Sequence, residues 1–195
     1  MWCVGAARVV TWGDPDGGGD SSTVQHQLKN VQQICSTESA FAAILADETV
    51  VTWGDQRRGG NSSRVQHQLR NVQQISATSF AFAAILADGS VVTWGDPNCG
   101  GDSSRVQDQL RNVQQISATG FAFAATLADG TVVTWGDPEC GGDSSRVQDQ
   151  LRNVQQISAT GSAFAALLAD GSVVTWGDPN HGGDSSRVQD QFSYI

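Results

Sequence analysis

The chain has 195 residues, 20 acidic against 11 basic side chains for a formal charge of −9, and 39% hydrophobic residues, the size and balance of one acidic globular domain. The longest apolar runs, such as residues 40–46, stop at a charge or a glycine far short of the roughly 20 residues that span a bilayer. The arginines are dispersed rather than gathered into the basic stripe that neutralises phosphates. Neither a membrane nor a nucleic acid is expected as a partner. The first residues lack a basic start followed by a long apolar stretch and a cleavage site, which predicts an intracellular, cytoplasmic protein. Cys3, Cys35, Cys99 and Cys140 form no Cys-x-x-Cys pair and have no close histidine, so free thiols in a reducing compartment are expected rather than a zinc site or a redox motif.

Trp-Gly-Asp recurs at Trp12, Trp53, Trp94, Trp135 and Trp176, each time after 41 residues. The chain is therefore a repeat array, here divided into a partial unit 1–30, full units 31–71, 72–112 and 113–153, and a last unit with its tail, 154–195. Units 72–112 and 113–153 differ at only four positions: Ser79/Gly120, Ile85/Thr126, Ser90/Thr131 and Asn98/Glu139. A single asymmetric active site finds little variety here from which to be assembled, so no enzyme is expected.

In chain order, the partial unit offers a hairpin remnant: Cys3-Val4 aligns with Ile44-Leu45, and Val9-Val10 with Val50-Val51. Each full unit then predicts three short strands. In the second unit these are 73–78, Phe80 to Leu86, and Val91 to Trp94, the last two joined by Asp88-Gly89, a hairpin signal because the turn requires positive φ. Period-2 alternation puts Val92 and Trp94 on one face, Phe80, Phe82, Ala84 and Leu86 on one face, and Ile75 with Ala77. The alanines allow close approach of adjacent sheets. Gly95 to Gly101 reads as a loop, and Asp102 to Leu110 as a short helical turn, capped by Asp102 or Ser103 and docked through Val106 and Leu110.

An antiparallel hairpin in every unit does not suit a parallel solenoid and does suit a β-propeller, in which small antiparallel blades pack face to face. The predicted fold is thus all-β: a propeller-type array of three-stranded blades, about four plus a partial one. At the far end Ile195 falls where Val154 begins its strand. Four blades closing tightly, or an open array whose exposed terminal blades invite self-association or mark the chain as a fragment of a longer protein, are the expectations.

The run Asp88 to Asp96, followed by Gly100-Gly101 and preceded by an Ala-rich strand, resembles the regulator of chromosome condensation repeat, and the match recurs along nearly the whole chain. The resemblance implies a propeller that serves as a protein-binding scaffold. It further implies kinship with beta-lactamase inhibitor protein II, with the interaction modules of HECT-type ubiquitin ligases, and with guanine-nucleotide exchange regulators of small GTPases. The family's Gly-Gln-Leu-Gly is replaced here by Gly100-Gly101-Asp102-Ser103, and its histidine before the inner strand is absent at Phe80 to Phe82. No exchange-site residue carries over.

Two sets of residues are candidates for chemistry. Loop positions Arg57, Arg58, Asn98, Glu139 and His181 combine exposure by composition with variation from unit to unit, and are predicted to contact a protein partner. Asp96, Asn98 and Asp102, and Asp137, Glu139 and Asp143, have an oxygen spacing faintly like a calcium loop, although the closing bidentate Glu is missing and Arg57 and Arg58 would repel the ion. Local side-chain to backbone bonds account for the same aspartates. No cofactor is expected. The tryptophans are expected in the core, and His26 and His67 in solvent.

Overall fold

The structure, a computed structural model, describes residues 9–188. The hairpin residues Cys3 and Val4, and the tail from Gln189 to Ile195, lie outside the described residues. Among the described residues twelve strands form four separate sheets: β1 Val31–Ser36, β2 Ala40–Leu45 and β3 Val50–Gly54; β4 Val72–Ala77, β5 Ala81–Leu86 and β6 Val91–Gly95; β7 Val113–Ala118, β8 Ala122–Leu127 and β9 Val132–Gly136; β10 Val154–Ala159, β11 Ala163–Leu168 and β12 Val173–Gly177. Each sheet is an antiparallel meander with the same register. Phe82 lies opposite Trp94 and Ala84 opposite Val92 in the second blade, and the first strand of every blade carries one irregularity near its start, between Val72 and Gln74 here. The turn expected at Asp88-Gly89 is present, with Gly89 at φ 76°, and Glu48 takes φ 62° at the same place in the first blade.

Each blade has two unlike faces. On one, Ile75, Phe82, Ala84, Val92 and Trp94 are buried together against Ala40, Ala42, Ile44 and Val50 of the preceding blade. On the other, Ala81, Ala83, Ile85 and Val91 receive Ile116, Phe123, Val133 and Trp135 of the following blade. The arrangement recurs at the third junction, where Phe164 and Trp176 lie against Ala122 and Ala124. Aromatic bulk meets alanine, so the sheets approach closely and the rings are fully withdrawn from water. Each large side chain so buried contributes roughly 1.5–3 kcal/mol. Within a blade the two rings stack: Phe82 on Trp94 and Phe123 on Trp135, both with centroids 5.2 Å apart. The face assignment made from alternation holds for Phe82, Ala84, Leu86, Val92, Trp94, Ile75 and Ala77. It fails for Phe80, which lies in the turn before β5.

Residues 102–110 do not form the expected helical turn. They make successive i to i+3 turns, with the Val106 N–H donating to Ser103 O at 3.0 Å and the Gln109 N–H to Val106 O at 2.9 Å. The side chains are spent on the neighbouring strand instead: Gln107 Nε2 donates to Val91 O at 3.0 Å, and the Ser103 hydroxyl bonds that of Thr93 at 3.0 Å. Such bonds compete with helix formation. Leu110 is nevertheless buried in the core, with Val106 packed against it. Helical geometry appears one segment earlier, in the stretch read as loop: Pro97–Cys99 is one turn of 3-10 helix, as are Gln56–Arg58, Pro138–Cys140 and Pro179–His181.

The start of the described chain keeps the anchoring of a full unit without its sheet. Residues 9–12 belong to no strand. Even so, the Thr11 and Ser21 hydroxyls lie 2.9 Å apart and Gln25 Nε2 donates to Val9 O at 3.1 Å, the same bonds that Thr93, Ser103 and Gln107 make with β6.

Candidate interaction face

The two ends of each blade differ. One end carries the Asp-Gly hairpin. The other carries the turn between the first and second strands together with the 3-10 turn, because Ala81 pairs with Gly95 across that end of the sheet. A threonine ties these two segments together: Thr78 Oγ1 accepts the Ala81 N–H at 3.0 Å and donates to Cys99 O at 3.0 Å, and Thr119 repeats the pair with Ala122 and Cys140. Successive blades are also stapled at this end. The Glu38 N–H donates to Ser79 O at 3.0 Å, the Ser79 N–H to Gly120 O at 2.9 Å, and the Gly120 N–H to Gly161 O at 2.9 Å. Backbone bonds thus run across three blade junctions and give the face a fixed floor.

All five residues predicted to contact a partner lie at this end, and all are exposed: Arg57 and Arg58 on the first blade's 3-10 turn, Asn98 on the second, Glu139 on the third and His181 on the fourth. Arg58 is held in place. Its guanidinium sits 4.6 Å above the Phe80 ring, its Nη1 donates to the Ser39 hydroxyl at 3.2 Å, and its Nε lies 3.8 Å from an Asp55 carboxylate oxygen. His181 Nδ1 is 2.7 Å from Asp178 Oδ2. The Asp178 carboxyl is held below its usual range, first by the Asn180 N–H and then by His181.

One residue of this face, Phe80, was misplaced by sequence reasoning, and its partner Phe121 was not singled out. Phe80 and Phe121, partly exposed, meet with centroids 5.8 Å apart in the turns before β5 and β8, beside the stapled backbone and next to Arg58. Period-2 alternation had drawn Phe80 into the core face. The signal that separates the two kinds of phenylalanine is the repeat itself: Phe41, Phe82, Phe123 and Phe164 occupy one position in every unit, whereas the position of Phe80 reads Ser39, Phe80, Phe121, Ser162.

The oxygen-rich loops hold backbone. Asp96 Oδ1 accepts the Asn98 N–H and Asp137 Oδ1 the Glu139 N–H, while Asp102 and Asp143 accept the N–H groups of Ser104 and Ser145, all at 2.9 Å. Among the described residues no group of three His, Cys, Asp or Glu side chains is placed to hold a metal ion. Cys99 lies buried behind the second 3-10 turn, and burial, then the charges of Asp96 and Asp137, push its thiol up to about 11. Cys140 is pushed in the same direction by burial. His26 and His67 are exposed on the turns that follow the loops. Among the described residues no helix is long and apolar enough to cross a membrane.

Small antiparallel blades stacked face to face at a fixed sequence period define a propeller-type repeat array. The model of the Regulator of chromosome condensation (RCC1) repeat matches residues 72–100 and 154–182, so the chain carries repeats of that type. No curated protein matches it in sequence. Solved structures share its fold: Prp20p from Saccharomyces cerevisiae at 19% identity and a TM-score of 0.56, covering 75% of this chain and 44% of that one; human WBSCR16 at 19% and 0.52, covering 75% and 47%; and the ectodomain of the Physcomitrella patens receptor kinase CR4 at 19% and 0.50, covering 76% and 39%. The chain thus spans less than half the length of these structures.

Proposed function

We propose that the chain is a non-catalytic protein-interaction scaffold whose binding face is the end bearing Arg57, Arg58, Asn98, Glu139 and His181, with the Phe80–Phe121 pair at its centre. The observation that carries this reading is the distribution of differences among near-identical repeats. The phenylalanines, tryptophans and alanines at the blade junctions recur in every unit, while the 3-10 turns read Arg57-Arg58, Asn98-Cys99, Glu139-Cys140 and Asn180-His181. A partly exposed aromatic pair flanked by an arginine is the composition of an interface anchor. Cationic side chains on the first blade and Glu139 on the third give the face a polarity that would orient a partner, with acidic groups toward Arg57 and Arg58. The structure of Prp20p is described with its binding properties to Gsp1p and histones, which makes small GTPases and histones the first partners to offer this face. The repeat resemblance adds substrate recruitment for a ubiquitin ligase as a further reading; no described residue favours it.

The test is charge reversal, Arg57→Glu with Arg58→Glu, followed by affinity capture and circular dichroism. The fold is expected to persist, since both side chains are exposed, and recovery of the captured partner to fall. Unchanged recovery removes this turn from the binding surface.

A further inference from the structure

We infer that the partner presents an extended segment with a carboxylate and an aromatic side chain two residues apart, the carboxylate meeting Arg57 and Arg58 and the ring lying on the Phe80–Phe121 pair. The inference rests on the reading of this face given above and names the chemistry that recognises it. The backbone around the two rings is already committed. The Ser79 N–H donates to Gly120 O, the Phe80 and Ala81 N–H groups to Thr78 Oγ1, and the Ser79 and Phe80 carbonyls accept from the Glu38 and Asp96 N–H groups. The Phe121 N–H is likewise taken by Thr119 Oγ1, and its carbonyl by the Asp137 N–H. A partner therefore finds no edge here to extend as a strand, and its side chains must carry the recognition.

Phe80 and Phe121 are partly exposed, with planes inclined at 47°, so they offer a further ring both an edge and a face. Serine holds the same position in the first and fourth blades, at Ser39 and Ser162, which confines the aromatic surface to the two middle blades. A cation is fixed at one end of that surface. Arg58 is braced by the Phe80 ring, the Ser39 hydroxyl and Asp55, while the guanidinium of the neighbouring Arg57, exposed, has no partner among the described residues. Glu139 stands exposed on the third blade. A carboxylate is thus attracted at the first blade and repelled at the third, which sets the direction of the segment. The Arg58 guanidinium, Phe80 and Phe121 succeed one another on blades one, two and three, separated by 4.6 Å and then 5.8 Å. Side chains two residues apart in an extended chain share a face at about 6.6–6.8 Å, a spacing that sets one over the arginine and the other over the ring pair.

A random-peptide phage library panned on the full chain tests this, the enriched peptides being remade with a fluorescein label for anisotropy titration. They are expected to share an acidic and an aromatic residue two apart. Phe80→Ser with Phe121→Ser introduces the residue that the first and fourth blades already carry at this turn, at Ser39 and Ser162. It should weaken binding about tenfold or more with an unchanged circular dichroism spectrum. Arg57→Glu with Arg58→Glu should weaken it likewise, and a peptide remade with lysine for its acidic residue should bind this reversed variant better than it binds the parent. Peptides that depend on these four residues but lack the acidic and aromatic pair overturn the inference and leave the face standing as an interaction surface. So does a library that yields no peptide above background, or a lysine peptide that gains nothing from the reversal. Peptides that bind every variant as they bind the parent overturn the inference and remove this face from the binding surface.

Discussion

Replacing Gly100 by alanine tests how the blades are joined, because the chain supplies its own control. At Gly100 the new methyl group meets two penalties. The backbone has φ 94°, where an L side chain crowds the following carbonyl, at a cost of about 1–2 kcal/mol. The Cβ would also stand 2.5 Å from the Phe123 ring, held in turn by Trp135 and the alanines of the preceding blade, and overpacking of this kind costs about 1–3 kcal/mol. Gly182→Ala incurs the first penalty alone, since its φ is 103° and among the described residues no atom lies within 4 Å. The difference between the variants is therefore the steric part, about 1–3 kcal/mol, or roughly 2–4 °C in thermal midpoint per kcal/mol for a chain of this size. Urea unfolding at low protein concentration, with the slope checked for constancy, measures it. Gly141→Ala separates contact from position in the array: its Cβ would meet Phe164 at 2.6 Å although it sits only one blade from Gly182. It is expected to behave like Gly100→Ala. A Gly182→Ala protein as destabilised as the other two would refute the claim that these glycines are required by the neighbouring ring.

The carboxylates and the buried thiol give the array opposite pH dependences at its two extremes. Asp88 Oδ1 accepts the Ser90 hydroxyl at 2.6 Å and the Ser90 N–H at 2.9 Å, and Asp129 does the same with Thr131, so both carboxyls are held below the ordinary value of 3.8, the hydroxyl bond acting most strongly. Their contribution is present above the unfolded-state value and is lost as pH falls through it and below. The thermal midpoint should drop on acidification toward pH ~2, and more shallowly in an Asp88→Ala, Asp129→Ala double variant; identical acid limbs would remove these turns from the account. For Cys99 the native value lies above the ordinary 9.0, at about 11, so its contribution is present below pH 9.0 and lost as pH rises toward the native value. Alkylation of Cys99 at neutral pH should be slow until the chain unfolds, and Cys99→Ala should flatten the alkaline limb of the stability profile. Rapid labelling of the native protein at neutral pH would contradict its burial.

What could be read in the sequence was whatever the period and the alternation of side chains repeat. Twelve strands, the Asp-Gly hairpins and the core tryptophans follow from local rules, since a glycine in the turn and β-branched residues after it leave few alternatives. The exchange of helical geometry between Pro97–Cys99 and residues 102–110 was not legible. The capping residues Asp102 and Ser103 announce a helix as readily as a turn, and the bonds from Gln107 to Val91 and from Ser103 to Thr93 that decide the matter connect the segment to a strand already laid down. The site was legible in part. Exposure of Arg57, Arg58, Asn98, Glu139 and His181 follows from their place beside an Asp-Pro or Asp-Gln turn. Gathering at one end of the array needed the pairing of Ala81 with Gly95, and the aromatic contact of Phe80 with Phe121 joins residues one full period apart.

A stacked array divides its sequence between two kinds of position for an energetic reason. Each blade touches only its neighbours, so stability is approximately a sum of similar junction terms. A residue that enters a junction, such as Phe82 against Gly59 or Ala84 within the core between two sheets, is felt by the blade before as well as by its own. A change there must be matched on another unit. The 3-10 turn divides the two demands within five residues: Gly100 belongs to the junction through Phe123 and Trp135, while Asn98, two residues earlier, has only its backbone N–H committed, to Asp96. Its side chain is exposed and does not enter the blade junction, so substitution there leaves the junction energy nearly untouched. Of the four differences between the second and third units, Ser79/Gly120 and Asn98/Glu139 fall on the face proposed to meet partners, Ile85/Thr126 at a junction and Ser90/Thr131 in the hairpin turn at the other end: the same 3-10 turn that latches one blade to the next presents residues by which one blade can be told from another.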